Sequence, residues 1–153
     1  MMALVVVPDI ANPFFAEVLR GIDETLSAAG YGLIIGNLDN HREKDATFVE
    51  VARSGQVDGA LLLCGRMLGG RAGTLDGAGL PVVAACETIP GAAFPQVEVD
   101  NHAAAETATR HLVENGHRRI AYLSGPKGNV LDVARREGYR AALEAAGLPH
   151  DPA

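Results

Sequence analysis

ALVVVPDIANPFFAEVLRGIDETLSAAGYGLIIG, residues 3–36, holds one full cycle of the pattern that decides the fold. Residues 3–8 and 31–36 are short runs, apolar at nearly every position, as strands covered on both faces require. Between them Asn12 is placed to cap and Pro13 to open a helix running to about Ala29, where Gly30 can adopt the left-handed stop. Phe15, Val18, Leu19, Ile22 and Leu26 recur on one face at helical spacing, while Glu17, Arg20, Glu24 and Ser27 face elsewhere. A strand, an amphipathic helix and a second buried strand imply a crossover, and so a parallel pair.

The cycle repeats along the chain. Residues 59–64, 81–86, 96–99 and 120–124 predict further strands. Helices are predicted over 42–54, over 71–78, from Asp100 to Asn115–Gly116, and from 130 to 146 with a stop at Gly147. The fold class is therefore α/β, a parallel sheet flanked by helices. The expected boundary is Val99–Asn101, dividing the chain into a first lobe, 1–99, and the beginning of a second, 100–153. One strand with two helices cannot make a sheet. The second lobe must borrow strands from elsewhere or, in the favoured reading, is incomplete, with the natural chain continuing beyond Ala153.

Bulk properties bound the function. The chain has 153 residues, 48% hydrophobic and 21% charged, which is globular composition. No stretch approaches the run of about 18 apolar residues that a membrane span needs. The first residues lack the basic segment and cleavage site of a secretory signal. Two cysteines, Cys64 and Cys86, suit a reducing cytoplasm; a thiol pair is conceivable, two ordinary buried cysteines the plainer reading. The formal net charge of −6 argues against this chain gripping nucleic acid by itself.

Ligands of open parallel sheets bind outside the carboxyl ends of the strands. That rule selects Asp9, Asn12 and Phe14, then Asn37 and Asp39, then Lys127, Asn129 and Asp132, with Arg135 one turn into the last helix. Amides, carboxylates and a guanidinium can hydrogen-bond adjacent hydroxyls, and an aromatic face covers an apolar ring surface. Such a set suits a polyol or a nucleobase-like ligand. Asp9 and Asn12 could equally do no more than shape the turn and cap the helix. Phe15 falls on the apolar stripe of the core, whereas Phe14 lies about 100° away in the first turn, free to lean over the strand ends.

Catalytic signatures are missing. VPDIANPF carries neither G-x-G-x-x-G nor G-x-x-x-x-G-K-[ST], and no G-x-S-x-G elbow occurs. The five histidines show no metal-ligand spacing, so neither a metal nor a cofactor is expected. His117-Arg118-Arg119 reads as a turn whose cations complement the preceding helix end.

VVVPDIANPFFAEVLRGIDETLSAAGY, QVDGALLL, LPVVAAC, VEVDNHAAAETATRHLVENGHRRIAYLSG and RREGYRAALEAAGL, in that order, resemble the effector domain of the lactose/galactose repressor (LacI/GalR) family. The resemblance runs from Ala3 to about Leu148. It implies a periplasmic-binding-protein-like fold (type I) of two lobes with a small effector, such as a sugar, in the cleft. It also implies homodimers formed through the lobes in the cytoplasm, away from the membrane, while the sheet edges that an incomplete second lobe leaves unpaired predict higher self-association. DNA is read only by a helix-turn-helix domain that would precede Ala3. By position, Phe14 and Phe15 match first-lobe effector residues. Arg135 matches the arginine that anchors the effector, Asn129 and Leu131 match second-lobe contacts, and Asp100-Asn101 matches the crossover between lobes. Cys86-Glu87 stands where the family often has Asp-Arg, which removes a carboxylate used on sugar hydroxyls. A sugar-binding protein of a transport system is the alternative with the same lobes, and a small α/β enzyme a more distant one.

Overall fold

The computed structural model of the protein describes residues 1–126 and 128–150. Its chain divides into two units, Met1–Glu98 and Val99–Ala153.

At the centre of the first unit lies β1 (Met2–Val7), with β2 (Gly32–Asn37) on one side and β3 (Gly59–Leu62) on the other, both parallel to it. Leu4, for instance, faces Ile34 across one ladder and Ala60 across the other. A two-residue hairpin, β4 (Gly69–Gly70) and β5 (Gly73–Thr74), stands apart from this sheet. Beyond β3 come β6 (Val82–Ala85) and β7 (Gln96–Val97), giving the order β2-β1-β3-β6-β7 with every pair parallel.

The continuous apolar run of β1 has the cause anticipated from sequence. Leu4 and Val6 enter one core with Leu62, Ala84 and, from helix α2 (Asp45–Arg53), Val49 and Ala52. Val5 and Val7 enter a second core with Leu63 and, from helix α1 (Pro13–Ala28), Phe15 and Leu19. Each fully buried Val or Leu among these removes apolar area worth about 1.5–3 kcal/mol from water. The edge strand β2 is covered less completely, and Ile35 stays exposed.

Three expectations are corrected. The predicted helix over 71–78 is the β4–β5 hairpin followed by one 3-10 turn, Asp76–Ala78. The cause is glycine: Gly73 takes φ 105°, outside the range that helices allow. The helix expected from residue 42 opens as a 3-10 turn, Arg42–Lys44, before becoming α2. Third, 120–124 forms no strand among the described residues, since no neighbouring segment supplies a ladder.

In the second unit, α3 (Asn101–Glu114) and α4 (Val130–Ala145) pack against each other. Gly138 allows the close approach: a Cβ there would collide with the His102 carbonyl oxygen. The segment joining the helices is tied to α4 by two tyrosines. Tyr139 donates its hydroxyl to the Ile120 carbonyl at 2.7 Å, and Tyr122 donates to Asp132 Oδ1 at 2.9 Å.

Candidate functional site

In the first unit, the chain leaves β1 for β2 on one side, then crosses back to β3 on the other. The carboxyl ends of β1 and β3 therefore form the topological switch point, where ligands of open α/β sheets bind. The turn after β1 is built by three side chains. Asp9 Oδ1 accepts from Ala11 N at 2.9 Å, and Asn12 Oδ1 accepts from Phe14 N at 3.0 Å as the α1 cap. From the end of β2, Asn37 Oδ1 accepts from Ile10 N at 3.0 Å and Asp39 N at 3.2 Å, so it binds two strand ends together. Asp39 in turn accepts from Lys44 Nζ at 3.4 Å.

The adjacent phenylalanines separate. Phe15 is 6% exposed and belongs to the core, whereas Phe14 is 55% exposed. Their rings meet edge to face, centroids 5.2 Å apart at 80°, so the buried ring braces the exposed one.

Farther along the same edge, the Glu87 carboxylate accepts from Gly65 N at 2.9 Å and links the end of β6 to that of β3. Cys86, just before it, holds φ 73°, an unusual backbone for a non-glycine residue. Behind β3, Arg66 Nη1 donates to Asp45 Oδ2, while the buried Asp45 Oδ1 has no partner among the described residues. The bond from Asp45 stabilises the Arg66 cation and raises its pKa. Arg66 thus belongs to a half-buried ion pair rather than standing free at the sheet edge.

The second unit holds the other predicted residues. Asn129 Oδ1 accepts from Asp132 N at 3.0 Å and caps α4; Leu131 is half-buried in its first turn. Asp132 Oδ1 accepts from Gly125 N at 2.8 Å as well as from Tyr122, which pins the loop before α4. The Gly125 N–H, then the Tyr122 hydroxyl, hold the Asp132 carboxyl below its ordinary value. Burial, then Asp132, push the Tyr122 hydroxyl up. Asp100 caps α3 by accepting from Ala103 N at 2.9 Å. Arg135 donates from Nε to Asn101 Oδ1 at 2.8 Å. Lys127 lies outside the described residues.

Sequence reasoning passed over Arg66 and Tyr122. Arg66 lies in a segment that the strand-end rule selects, but nothing local announces its partner 21 residues away. Among the described residues, no three His, Cys, Asp or Glu side chains come together to hold a metal ion.

A parallel sheet in this order, flanked by helices, defines an α/β protein of the periplasmic-binding-protein-like fold. The chain belongs to the family described as periplasmic binding proteins and the sugar binding domain of the LacI family, whose model matches residues 2–153. The HTH-type transcriptional repressor CytR of Escherichia coli (strain K12) is 39% identical over 150 residues, covering 97% of this chain and 44% of that protein. The crystal structure of the transcription regulator CcpA of Lactococcus lactis superposes with a TM-score of 0.85 at 29% identity, covering 99% of this chain and 56% of that one. The transcriptional regulator CelR, solved as a cellobiose complex, superposes with a TM-score of 0.84 at 32% identity, covering 98% and 48%. The chain thus spans about half the length of these relatives.

Proposed function

We propose that this chain is the effector-sensing region of a LacI-family transcription regulator and binds a sugar or similar small polar ligand. The observation that carries the reading is Phe14, an exposed aromatic at the sheet's carboxyl edge, braced on the buried Phe15 and flanked by Asp9 and Asn12. An exposed ring of this kind covers the apolar face of a sugar, while neighbouring amide and carboxylate groups take its hydroxyls. In this reading Asp9, Asn12, Asn129 and Leu131 contact the ligand, Arg135 anchors it, and Phe15 acts only through Phe14. Residues 1–99 and 100–153 correspond to the two lobes, with Asp100 and Asn101 at the crossover.

The regulatory output follows by linkage. The effector must favour one arrangement of the protein over another, by about 1–3 kcal/mol in typical cases, to change DNA affinity. The net charge of −6 suits a region that senses rather than grips DNA. Operator contact is assigned to a helix-turn-helix segment outside these residues, and self-association to homodimers in the cytoplasm. Binding without turnover is the proposed chemistry.

Calorimetric titration with a panel of pentoses, hexoses, cellobiose and nucleosides tests the reading. Saturable heat with one of them, lost in Arg135→Ala and in Phe14→Ala, is the expected result. Silence across the panel removes the effector assignment; turnover of any ligand replaces it with catalysis.

A further inference from the structure

We propose that Asn101 is a positioning residue for Arg135: it aims the guanidinium and ties it to the backbone at which the second unit begins. The inference rests on the reading of Arg135 as an effector anchor and adds what holds that anchor in place.

Asn101 is the first residue of α3 and is 8% exposed, although asparagine is a poor helix former and usually stays in water. The helix does not need it as a cap, because Asp100 already fills that role. Its amide works elsewhere. Oδ1 accepts from Arg135 Nε at 2.8 Å, and Nδ2 donates to the Val99 carbonyl at 2.8 Å. These two bonds fix the amide's orientation, since a flip would oppose donor to donor and acceptor to acceptor.

Two consequences follow for Arg135. With Nε occupied, the guanidinium is held along one edge, and its Nη groups make no hydrogen bond among the described residues. Those groups form the fork that grips a pair of ligand oxygens. The holding partner is also neutral. An aspartate in its place would still accept from Nε, but it would lose the bond to the Val99 carbonyl and cancel the charge presented to the ligand. Fixing a long side chain before the ligand arrives removes part of the ordering cost of binding. Through Nδ2, the same amide links the Arg135 seat to the Val99 carbonyl.

The experiment uses the full chain as wild type, Asn101→Ala, Asn101→Asp, Arg135→Ala and the Asn101→Ala/Arg135→Ala double variant. Hydrogen exchange at the Arg135 Nε–H, read by nitrogen-labelled NMR, is the first arm. It is expected to be about ten-fold faster in Asn101→Ala than in wild type and slow again in Asn101→Asp, with the α4 backbone amides unchanged. Equal exchange in wild type and Asn101→Ala overturns the proposal.

Titration with D-ribose and cellobiose is the second arm. Asn101→Ala and Asn101→Asp are each expected to weaken binding about ten-fold, and the double variant to bind no more weakly than Arg135→Ala. Losses that add make Asn101 an independent contact and overturn the proposal. If wild type binds neither sugar, that failure counts against the choice of effector, and the exchange arm still decides whether Asn101 positions Arg135.

Discussion

Cys64 and Cys86 stand at the carboxyl ends of neighbouring strands, two residues beyond the facing pair Leu62–Ala84, yet their side chains enter opposite faces of the sheet. Strand alternation would send Cys86 to the same face as Val82 and Ala84. Its φ of 73° breaks the alternation and sends it to the α1 face instead. A disulfide needs Cβ atoms within about 4.5 Å and converging, which this arrangement denies. Both thiols are free.

Thiol labelling should therefore be stepwise. Burial pushes the Cys64 thiol up to about 11, and burial also raises Cys86, which remains partly accessible. Under native conditions near neutral pH, DTNB is expected to react with Cys86 first and with Cys64 only on unfolding. Because the folded state holds the Cys64 proton more tightly, this group stabilises the fold below its ordinary value of 9.0. That contribution is lost as pH rises through about 11. Simultaneous labelling of both thiols in the folded protein would contradict the burial of Cys64.

Phe14 and Phe15 offer a contrast between surface and core. Phe15→Ala empties a buried site and is expected to cost about 3–5 kcal/mol in urea unfolding. Phe14→Ala should stay within roughly 0.5 kcal/mol of wild type, while weakening the effector. Equal stability losses would place Phe14 in the core.

Gly138→Ala drives a methyl group into the His102 carbonyl and must part α3 from α4. A loss of about 3 kcal/mol is expected from thermal melts followed in the α3–α4 unit, at the upper end for overpacking. A neutral outcome would mean that the helices separate cheaply.

Asp45→Ala leaves the Arg66 guanidinium, 23% exposed, without its partner. The expected cost is about 3 kcal/mol. Replacing both residues, Asp45→Leu with Arg66→Met, is expected to recover most of it, because desolvating the pair and the orphaned Asp45 Oδ1 is itself unfavourable. Comparing the single and double variants by urea unfolding checks both statements.

Acid sensitivity should map partly to Asp132. Its carboxyl is held low in the folded state, so it stabilises above the unfolded pKa and that stability is lost as pH falls through the folded one. Asn at position 132 should flatten the acid limb of the stability curve and loosen the loop before α4. An unchanged acid limb in Asp132→Asn would detach this carboxyl from acid unfolding.

The alternation of strands and helices was legible because it is written locally. The caps Asn12, Asp100 and Asn129 each act within three residues, and the stripe Phe15–Leu19 declares one helix face. The 71–78 segment forms no helix, because Gly73 and the chain's return to Arg53, which donates to the Gly77 carbonyl at 2.8 Å, favour a hairpin and turn. Residues 120–124 have strand composition, but a strand also requires a partner.

The sequence by itself determined the α/β class, the helix starts, and the strand ends where polar side chains would gather, because each depends on neighbours a few residues apart. Only the tertiary structure decided that Arg66 is spent on Asp45, that Cys86 turns away from Cys64, and that Asn101 holds Arg135 across 34 residues. These are pairings between distant residues, selected by packing and by the need to satisfy buried polar groups, and local propensity carries no record of them.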